Sequence, residues 1–422
     1  MNKQGAKIME RILIIEDNKT LAKLIAKKIS VELNFAVDVA YQLSEAKLFL
    51  QRYKYFVTLT DLNLPDAPEG EVVDYLLSKE CRVIVLSGNI DKDFREKILK
   101  KNIIDYINKS GVEDISYIIH TIRRLHMNQL HKVLVVDDSM VFRKSMKAML
   151  ENLFFQVLTV AHGEEALGMI SSHPDISLVL TDYNMPVMDG LELTKEIRKL
   201  HNKNDMSIIA LSSNEDEQIT AMFLKSGAND YIKKPFSKEE FSCRINNAIE
   251  ALENIFIITN HANRDFLTGL YNRRYFFKNA EPYFNDATQN NESFAIAMID
   301  IDNFKKINDT YGHDMGDKVI VSLSEILRTS INQKDIVARF GGEEFCLLLR
   351  DISAHNALIA FERLRANIER NVIFSEDRRE IRFTISIGVS ISHEDTFEED
   401  INQADLLLYN AKQSGRNQIV HN

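Results

Sequence analysis

Proline and glycine are scarce in this 422-residue chain, at 6 and 15 residues, well under the usual share, which excludes collagen-like repeats and low-complexity disorder. Cysteine is scarcer still. Cys81, Cys243 and Cys346 are odd in number and far apart, each inside a periodic or apolar segment, which suits reduced thiols in small core positions. Long apolar runs are missing too: Ile12 to Ile15 and Ile255 to Ile258 are the best candidates, against the roughly 18 residues that a spanning helix needs. The basic opening MNKQGAKIME leads into only four apolar residues before Glu16 and Asp17, too few for a secretory core, so a soluble, cytoplasmic protein is expected. Positive charge is in deficit. With 52 Lys and Arg against 62 Asp and Glu the formal net charge is −10, no basic patch stands out, and no nucleic-acid partner is expected.

What is present is ordinary for a globular protein, 45% apolar and 27% charged. At roughly 150 residues per domain, the length points to about three domains. A duplication sets the first two: RILIIEDN (Arg11 to Asn18) and KVLVVDDS (Lys132 to Ser139) are both short apolar runs ending in two acids. Asp17 precedes Asp61 by 44 positions and Asp138 precedes Asp182 by the same 44; Ser87 precedes Lys109, and Ser212 precedes Lys234, by 22. Such a matched series is an internal repeat. Helical patterns such as Leu21, Leu24, Ile25 and Ile29, or Leu191, Leu193, Ile197 and Leu200, separate the apolar strands. This alternation predicts a parallel sheet with helices on both faces, and every special residue falls at a strand's carboxyl end, where such sheets bind ligands.

In the second copy Asp137, Asp138 and Asp182 would repel one another unless a hard cation such as Mg²⁺ joined them, while Lys234 adds positive charge and Ser212 a hydroxyl. The first copy offers Glu16, Asp17, Asp61, Ser87 and Lys109 in the same order. Either set suits a carboxylate oxygen attacking a phosphoryl group. Both copies resemble response-regulator receiver domains, over about residues 10–125 and 131–250. The resemblance implies a doubly wound, flavodoxin-like fold, Mg²⁺ in both pockets, and a sensor histidine kinase or phosphotransfer protein as partner. It also implies phosphorylation of Asp182 within DYNMPVMDG and of Asp61 within DLNLPDAPEG. The first copy departs from the family pattern: Gly70 is nine positions past Asp61 where Gly190 is eight past Asp182, and Lys109 precedes Ser110 where Lys234 precedes Pro235, a step often cis in the family.

Beyond the second copy, Phe241, Ile245, Ala248, Leu252, Ile255, Thr259 and Ala262 alternate at intervals of four and three. This is a heptad seam, expected to make residues 237–262 a linking helix that either pairs between protomers or packs on its own receiver.

From Phe294, FAIAMIDIDNFKKINDTYGHDMGDKVI reads as a strand ending in acids, a turn, and a helix opening near Gly316; Asp300 and Asp302 share a strand face. IVARFGGEEFCLLLR reads as two strands joined at Gly341-Gly342. A bare glycine tip lets backbone approach a bulky anion, and a hairpin beside the Asp300 strand would let Asp300 and Glu343 hold a divalent cation for phosphoryl transfer. His313 has no second histidine at ligand spacing, so a loop hydrogen-bonding role is expected of it.

Residues 263–422 resemble the GGDEF domain of diguanylate cyclases through Gly341-Gly342-Glu343-Glu344-Phe345, the opening DFLTGLYNRR (Asp265 to Arg274) and the closing LLLYNAKQSGRN (Leu406 to Asn417). The resemblance implies an α+β, ferredoxin-like palm, so that the whole is an α/β multidomain chain. It implies two Mg²⁺ or Mn²⁺ ions per GTP, held by Asp300, the Ile301 carbonyl and Glu343, with Glu343 or Glu344 helping to deprotonate the ribose 3′-hydroxyl. Asn308 and Asp317 would contact guanine. Lys412 and Arg416, one helical turn apart, would clamp the triphosphate with backbone N–H groups of Asn303, Phe304 and Lys305. The implied reaction is two GTP to cyclic di-GMP and two pyrophosphates in a homodimer, controlled by receiver phosphorylation. Asn332 stands where the family's inhibitory arginine would be, in Asn332-Gln333-Lys334-Asp335, so weak or missing product inhibition is expected, with Arg363 and Lys334 the cations left for a nonstandard site. The alternative is a degenerate cyclase domain serving as a nucleotide- or partner-binding module. A transcription factor would need a basic recognition helix, which the last third lacks.

Overall fold

Strands Arg11–Ile15, Val57–Asp61 and Val83–Ser87 are almost wholly buried because helices cover both faces of their sheet, which is why the first and third read as unbroken apolar runs, while the second buries Thr58 and Thr60 as well. With Ala36–Ala40 and Asp105–Asn108 at the edges they form a five-stranded parallel sheet, ordered 2-1-3-4-5 by sequence. Strands Lys132–Val136, Gln156–Val160, Ile176–Asp182, Ser207–Ser212 and Asp230–Lys233 repeat that order, again all parallel. This computed structural model describes residues 10–88, 92–109, 112–212, 217–375, 378–391 and 395–422; Ser110 and the opening residues 1–9 lie outside them. No helix among the described residues is long and apolar enough to cross a membrane.

The first helix of each copy opens on a side-chain cap placed directly after the acids. Asn18 accepts from the Thr20 and Leu21 N–H groups at 3.1 and 3.2 Å, and Ser139 accepts from Phe142 N–H at 3.3 Å. The helices Lys19–Leu33 and Met140–Asn152 therefore leave the sheet edge at once, and the acids stay at the carboxyl ends of the strands.

The chain divides into two compact units between Ile255 and Phe256, and both parallel sheets belong to the first. Helix Val112–Asn128 of the first copy is tied to helix Lys238–Asn263 of the second. Arg124, 6% exposed, donates to both Glu253 oxygens at 2.5 and 2.7 Å, and His131 Nε2 lies 2.7 Å from the same carboxylate. Burial opposes ionisation of Glu253, but Arg124 and His131 outweigh it and hold the carboxyl below its ordinary range. Phe241, Ile245, Ile249 and Leu252 are buried in the core that the two copies share. The seam residues Phe241, Ile245 and Leu252 thus pack on the receivers, whereas Phe256, Ile257 and Ile258, which lie outside the seam, are 69%, 51% and 66% exposed.

The second unit is built on a mixed sheet of six strands. Across it run Tyr271–Asn272, Ile336–Gly341, Glu344–Leu349, Ala295–Ile301, Ile385–Ser390 and Ile419–His421. Ala295–Ile301 is buried throughout and antiparallel to both neighbours; the outermost pairings alone are parallel. Helices His313–Ser330 and Ala354–Arg370 pack on one face, Arg273–Asn290 and Phe397–Gln413 on the other. The last of these lies close: a Cβ at Gly388 would stand 2.1 Å from the Ala404 carbonyl oxygen.

One expected turn is helical instead. Asn303 adopts a left-handed conformation (φ 55°), its carbonyl accepts from Lys306 N–H at 2.9 Å, and helix Phe304–Tyr311 follows. Gly312 (φ 85°) interrupts it, and the next helix opens at His313 rather than near Gly316. His313 is thus an exposed first residue of a helix, not a loop residue.

Candidate functional site

The 2-1-3-4-5 strand order gathers residues far apart in sequence at one edge of each parallel sheet. In the first copy Lys109 Nζ lies 2.7 Å from Glu16 Oε2 and 2.8 Å from Asp61 Oδ2. Oxygens of Glu16, Asp17 and Asp61 all fall within 4.8 Å of one another. Burial pushes the Glu16 carboxyl up, Lys109 pulls it back, and the charge of Asp61 adds to the rise. Burial alone would lower Lys109, but its bonds to Asp61 and Glu16 win and raise it. Ser87 is buried at the end of its strand, with Oγ 3.2 Å from the Gly88 carbonyl.

The second copy has the same bridge and a different surround. Lys234 Nζ lies 3.0 Å from Asp137 Oδ2, 2.7 Å from Asp182 Oδ1, and 3.6 Å from the centroid of the Phe142 ring. The Lys234-Pro235 bond is cis, and Ser212 is buried at its strand end. Burial pushes Asp182 up, with Lys234 opposing. Oxygens of Asp137, Asp138 and Asp182 do not all fall within 4.8 Å of one another: among the described residues the one group of three acids that does is that of the first copy. Asp137 is engaged by Lys234 and by Ser139 N–H at 2.8 Å, while the Arg143 guanidinium binds the carbonyls of Asp137 and Asp138 at 2.5 and 3.0 Å, leaving the Asp138 residue exposed.

The loops beyond the two aspartates also differ. A Cβ on Gly190 would stand 2.0 Å from the Asp182 carbonyl oxygen, whereas Gly70 is left-handed, φ 77°. The longer first loop carries Asp66, whose carboxylate accepts from Leu43 and Ser44 N–H groups at 2.8 Å each. Slight burial opposes ionisation there, but those N–H groups hold the carboxyl below its ordinary range.

In the mixed sheet Asp300 stands in register between Glu344 and Ser386. It is 5% exposed, and Lys412 Nζ lies 2.8 Å from its Oδ2. Burial pushes the Asp300 carboxyl up to about 6; Lys412 opposes, and the charges of Glu343 and Glu344 add to the rise. Both glutamates are therefore in electrostatic reach of Asp300, Glu343 half-buried and Glu344 exposed. A Cβ at Gly341 or at the left-handed Gly342 (φ 46°) would meet open space, so the hairpin tip is bare. Ile301, with its side chain buried, pairs with Ile385.

Asn303, Phe304 and Lys305 open helix Phe304–Tyr311, where the first N–H groups have no acceptor within the helix. Asn308 Oδ1 is buried without a hydrogen-bond partner, and a Cβ at Gly316 would stand 1.9 Å from it. Asp317, beside that glycine, is exposed. Lys412 and Arg416 do not share a helical turn as expected: Lys412 is in the last turn of Phe397–Gln413, and Arg416 lies past Gly415 (φ 117°), itself at φ 64°. In the tetrad with Asn332, Asp335 is buried and accepts from Asn332 and Arg350 N–H groups at 2.8 and 2.9 Å. Lys334 is 2.5 Å from Asp351, and Arg363 is exposed on helix Ala354–Arg370.

Known proteins share this arrangement of parts. The family described as response regulator receiver domain matches residues 12–120 and 133–246, and that described as diguanylate cyclase, GGDEF domain, matches residues 262–418. A solved two-component system response regulator/GGDEF domain protein superposes with a TM-score of 0.52 at 37% identity, over 58% of this chain and 99% of that one. The chain belongs to the response regulators and carries a GGDEF domain of the diguanylate cyclases. The response regulator PleD of Caulobacter vibrioides is 31% identical over 299 residues, 68% of this chain and 65% of PleD, so the regulator spans just under two thirds of that relative. Diguanylate cyclase A of Treponema denticola is 39% identical over 161 residues, 37% of this chain and 43% of that one.

Sequence reading missed what holds the hairpin tip of this regulator. Arg339 Nε and Nη2 donate to the Gly342 carbonyl at 2.9 and 2.8 Å, and Nη1 to Asp265 at 2.9 Å. Burial opposes ionisation of Asp265, but Thr268 and Arg339 hold its carboxyl below the ordinary range. The signal was there, an arginine two residues before the glycines and the aspartate of DFLTG, but nothing local joins them. Both acidic pockets suit a hard divalent cation. Their donors are oxygens, and at Asp300 burial first, then the charges of Glu343 and Glu344, outweigh Lys412 in raising the carboxyl.

Proposed function

We propose that this regulator is an active diguanylate cyclase that condenses two GTP into cyclic di-GMP with release of two pyrophosphates, under control of its receivers. The observation that carries the reading is the placing of a buried Asp300 beside Glu343 and Glu344 at an open glycine tip. Each 3′-oxygen attacks the α-phosphorus of the other nucleotide. One domain offers one such tip, so two chains face each other as a homodimer. Asn308 Oδ1, an acceptor without a donor, suits a guanine N–H, and Asp317 adds a second acceptor. Lys412, Arg416 and the N–H groups of Asn303 to Lys305 take the triphosphate; Glu343 or Glu344 receives the 3′-proton.

Asp300, the Ile301 carbonyl and Glu343 would hold Mg²⁺ or Mn²⁺, two ions per GTP, as Glu16, Asp17 and Asp61 or Asp137, Asp138 and Asp182 would hold Mg²⁺ in the receivers. Such ions supply charge that stabilises a phosphoryl group under attack. The phosphoryl acceptors are Asp182 and Asp61, the donor a histidine kinase or phosphotransfer protein, and Ser87 or Ser212 with Lys109 or Lys234 bind the acquired phosphoryl group. The domains divide at residues 10–125, 131–250 and 263–422, with 237–262 linking them.

Incubating the full chain with GTP and Mg²⁺, with and without beryllofluoride, and separating products by chromatography tests this. Cyclic di-GMP is expected, with a rate that beryllofluoride changes and that Asp182→Asn or Asp61→Asn uncouples. GTP binding without product would overturn the enzymatic reading in favour of a nucleotide-binding module.

A further inference from the structure

Asp302 lies two residues beyond Asp300 and is equally buried, at 5% exposure, yet no lysine or arginine pairs with it among the described residues. Three donors occupy it instead. Ser386 Oγ donates to Oδ1 at 2.6 Å, while Thr384 Oγ1 and the backbone N–H of Asn417 donate to Oδ2 at 2.7 and 2.9 Å. The first two belong to the neighbouring strand and the residue before it. The third comes from the turn after helix Phe397–Gln413. In that turn Gly415, Arg416 and Asn417 are left-handed in succession, at φ 117°, 64° and 47°, a run that side-chain-bearing residues keep only under outside restraint. Arg365 Nη1 adds a restraint, donating to Asn417 Oδ1 at 2.7 Å, and Asn417 Nδ2 donates to Glu369 at 2.8 Å.

We propose that Asp302 is a positioning residue for triphosphate binding: it pins the Gly415 to Asn417 turn, so aims Arg416, and does not bind metal. The inference rests on the cyclase reading above. The chemistry requires an acceptor at 302. A hydroxyl can turn its proton elsewhere, but the N–H of Asn417 points one way. An asparagine can still serve, with its carbonyl oxygen toward Asn417 and Thr384 and its amide toward Ser386. A metal ligand offers no such tolerance, because the charge itself is needed.

Kinetics of the full chain with GTP, at several Mg²⁺ concentrations, separate the two roles. Asp302→Ala is expected to raise KM for GTP about tenfold, with kcat and the Mg²⁺ midpoint within about threefold of the unaltered chain. Asp302→Asn is expected to restore KM to within about threefold. An unchanged KM in Asp302→Ala, or a Mg²⁺ midpoint displaced alike in both variants, overturns the proposal. If Asp302→Ala does not fold, Thr384→Val, which removes one donor, should raise KM about threefold; no rise would count against it. An unaltered chain that neither binds nor converts GTP would sink the cyclase reading and this inference together, whereas turnover with an insensitive Asp302→Ala sinks this inference alone.

Discussion

The receiver pockets and the cyclase pocket are built from the same pieces and balanced differently. In each receiver one lysine stands between two carboxylates, Lys109 between Glu16 and Asp61, Lys234 between Asp137 and Asp182, at 2.7 to 3.0 Å. In the GGDEF domain Lys412 meets Asp300 alone, and two further glutamates sit at a bare hairpin tip. In each receiver the lysine is thus shared between two carboxylates, and under the proposed function a phosphoryl group would enter by displacing those contacts. In the cyclase pocket the lysine serves a single carboxylate and the two glutamates stand at the open tip, an arrangement that suits the cations of the proposed reaction.

The largest effect should come from Glu343→Ala, which removes tip charge. Product formation should fall about 100- to 1,000-fold while receiver phosphorylation, followed on a phosphate-affinity gel, stays unchanged; a joint loss would mean the pockets are not independent. Next, Lys109→Ala and Lys234→Ala should each cost about 2–4 kcal/mol in urea unfolding, since each leaves neighbouring buried carboxylates without their cation. Mg²⁺ should recover more of that loss in Lys109→Ala, where three acids already converge. Lys412→Ala should cost less, about 1–2 kcal/mol, because Lys412 serves one buried carboxylate where the receiver lysines serve two. Equal costs would erase the contrast.

Acidity gives a third, subtler distinction. Asp300 has its carboxyl pushed up to about 6, above the unfolded value of about 3.9. Between those limits the folded domain binds more protons than the unfolded chain, so its stability in metal-free buffer should fall as pH rises from about 4 to 6. Asp300→Asn should flatten that slope in thermal melts, and a slope that survives the substitution would place the titrating group elsewhere. The smallest effect concerns the two receivers alone. Asp66→Ala should cost about 0.5–1 kcal/mol by uncapping helix Leu43–Arg52, measurable as a small drop in Tm.

Alternating apolar strands and helical patterns made both parallel sheets legible, and the matched intervals of 44 and 22 residues made their duplication legible. The hairpin was legible from Gly341-Gly342 for the same local reason. What escaped were features settled by contacts between distant residues. Asp302 reads like Asp300 on a strand, but the strand ends at Ile301, and donors 82, 84 and 115 residues later make Asp302 a hub while Asp300 faces Lys412. The Arg339 to Asp265 brace spans 74 residues. The spacing of Asp137 and Asp138 gave no sign that the Arg143 guanidinium would bind the carbonyls of both. The helix Phe304–Tyr311 was hidden by its left-handed start at Asn303.

Gly70 and Gly190 hold matching places in the duplicated halves, yet they are glycine for unrelated reasons, one by its left-handed backbone and the other because the Asp182 carbonyl crowds it. A drift to alanine would therefore be opposed by torsion in one half and by collision in the other. Duplicated segments can keep the same letter under separate selection, and likeness between the copies overstates how far they remain interchangeable.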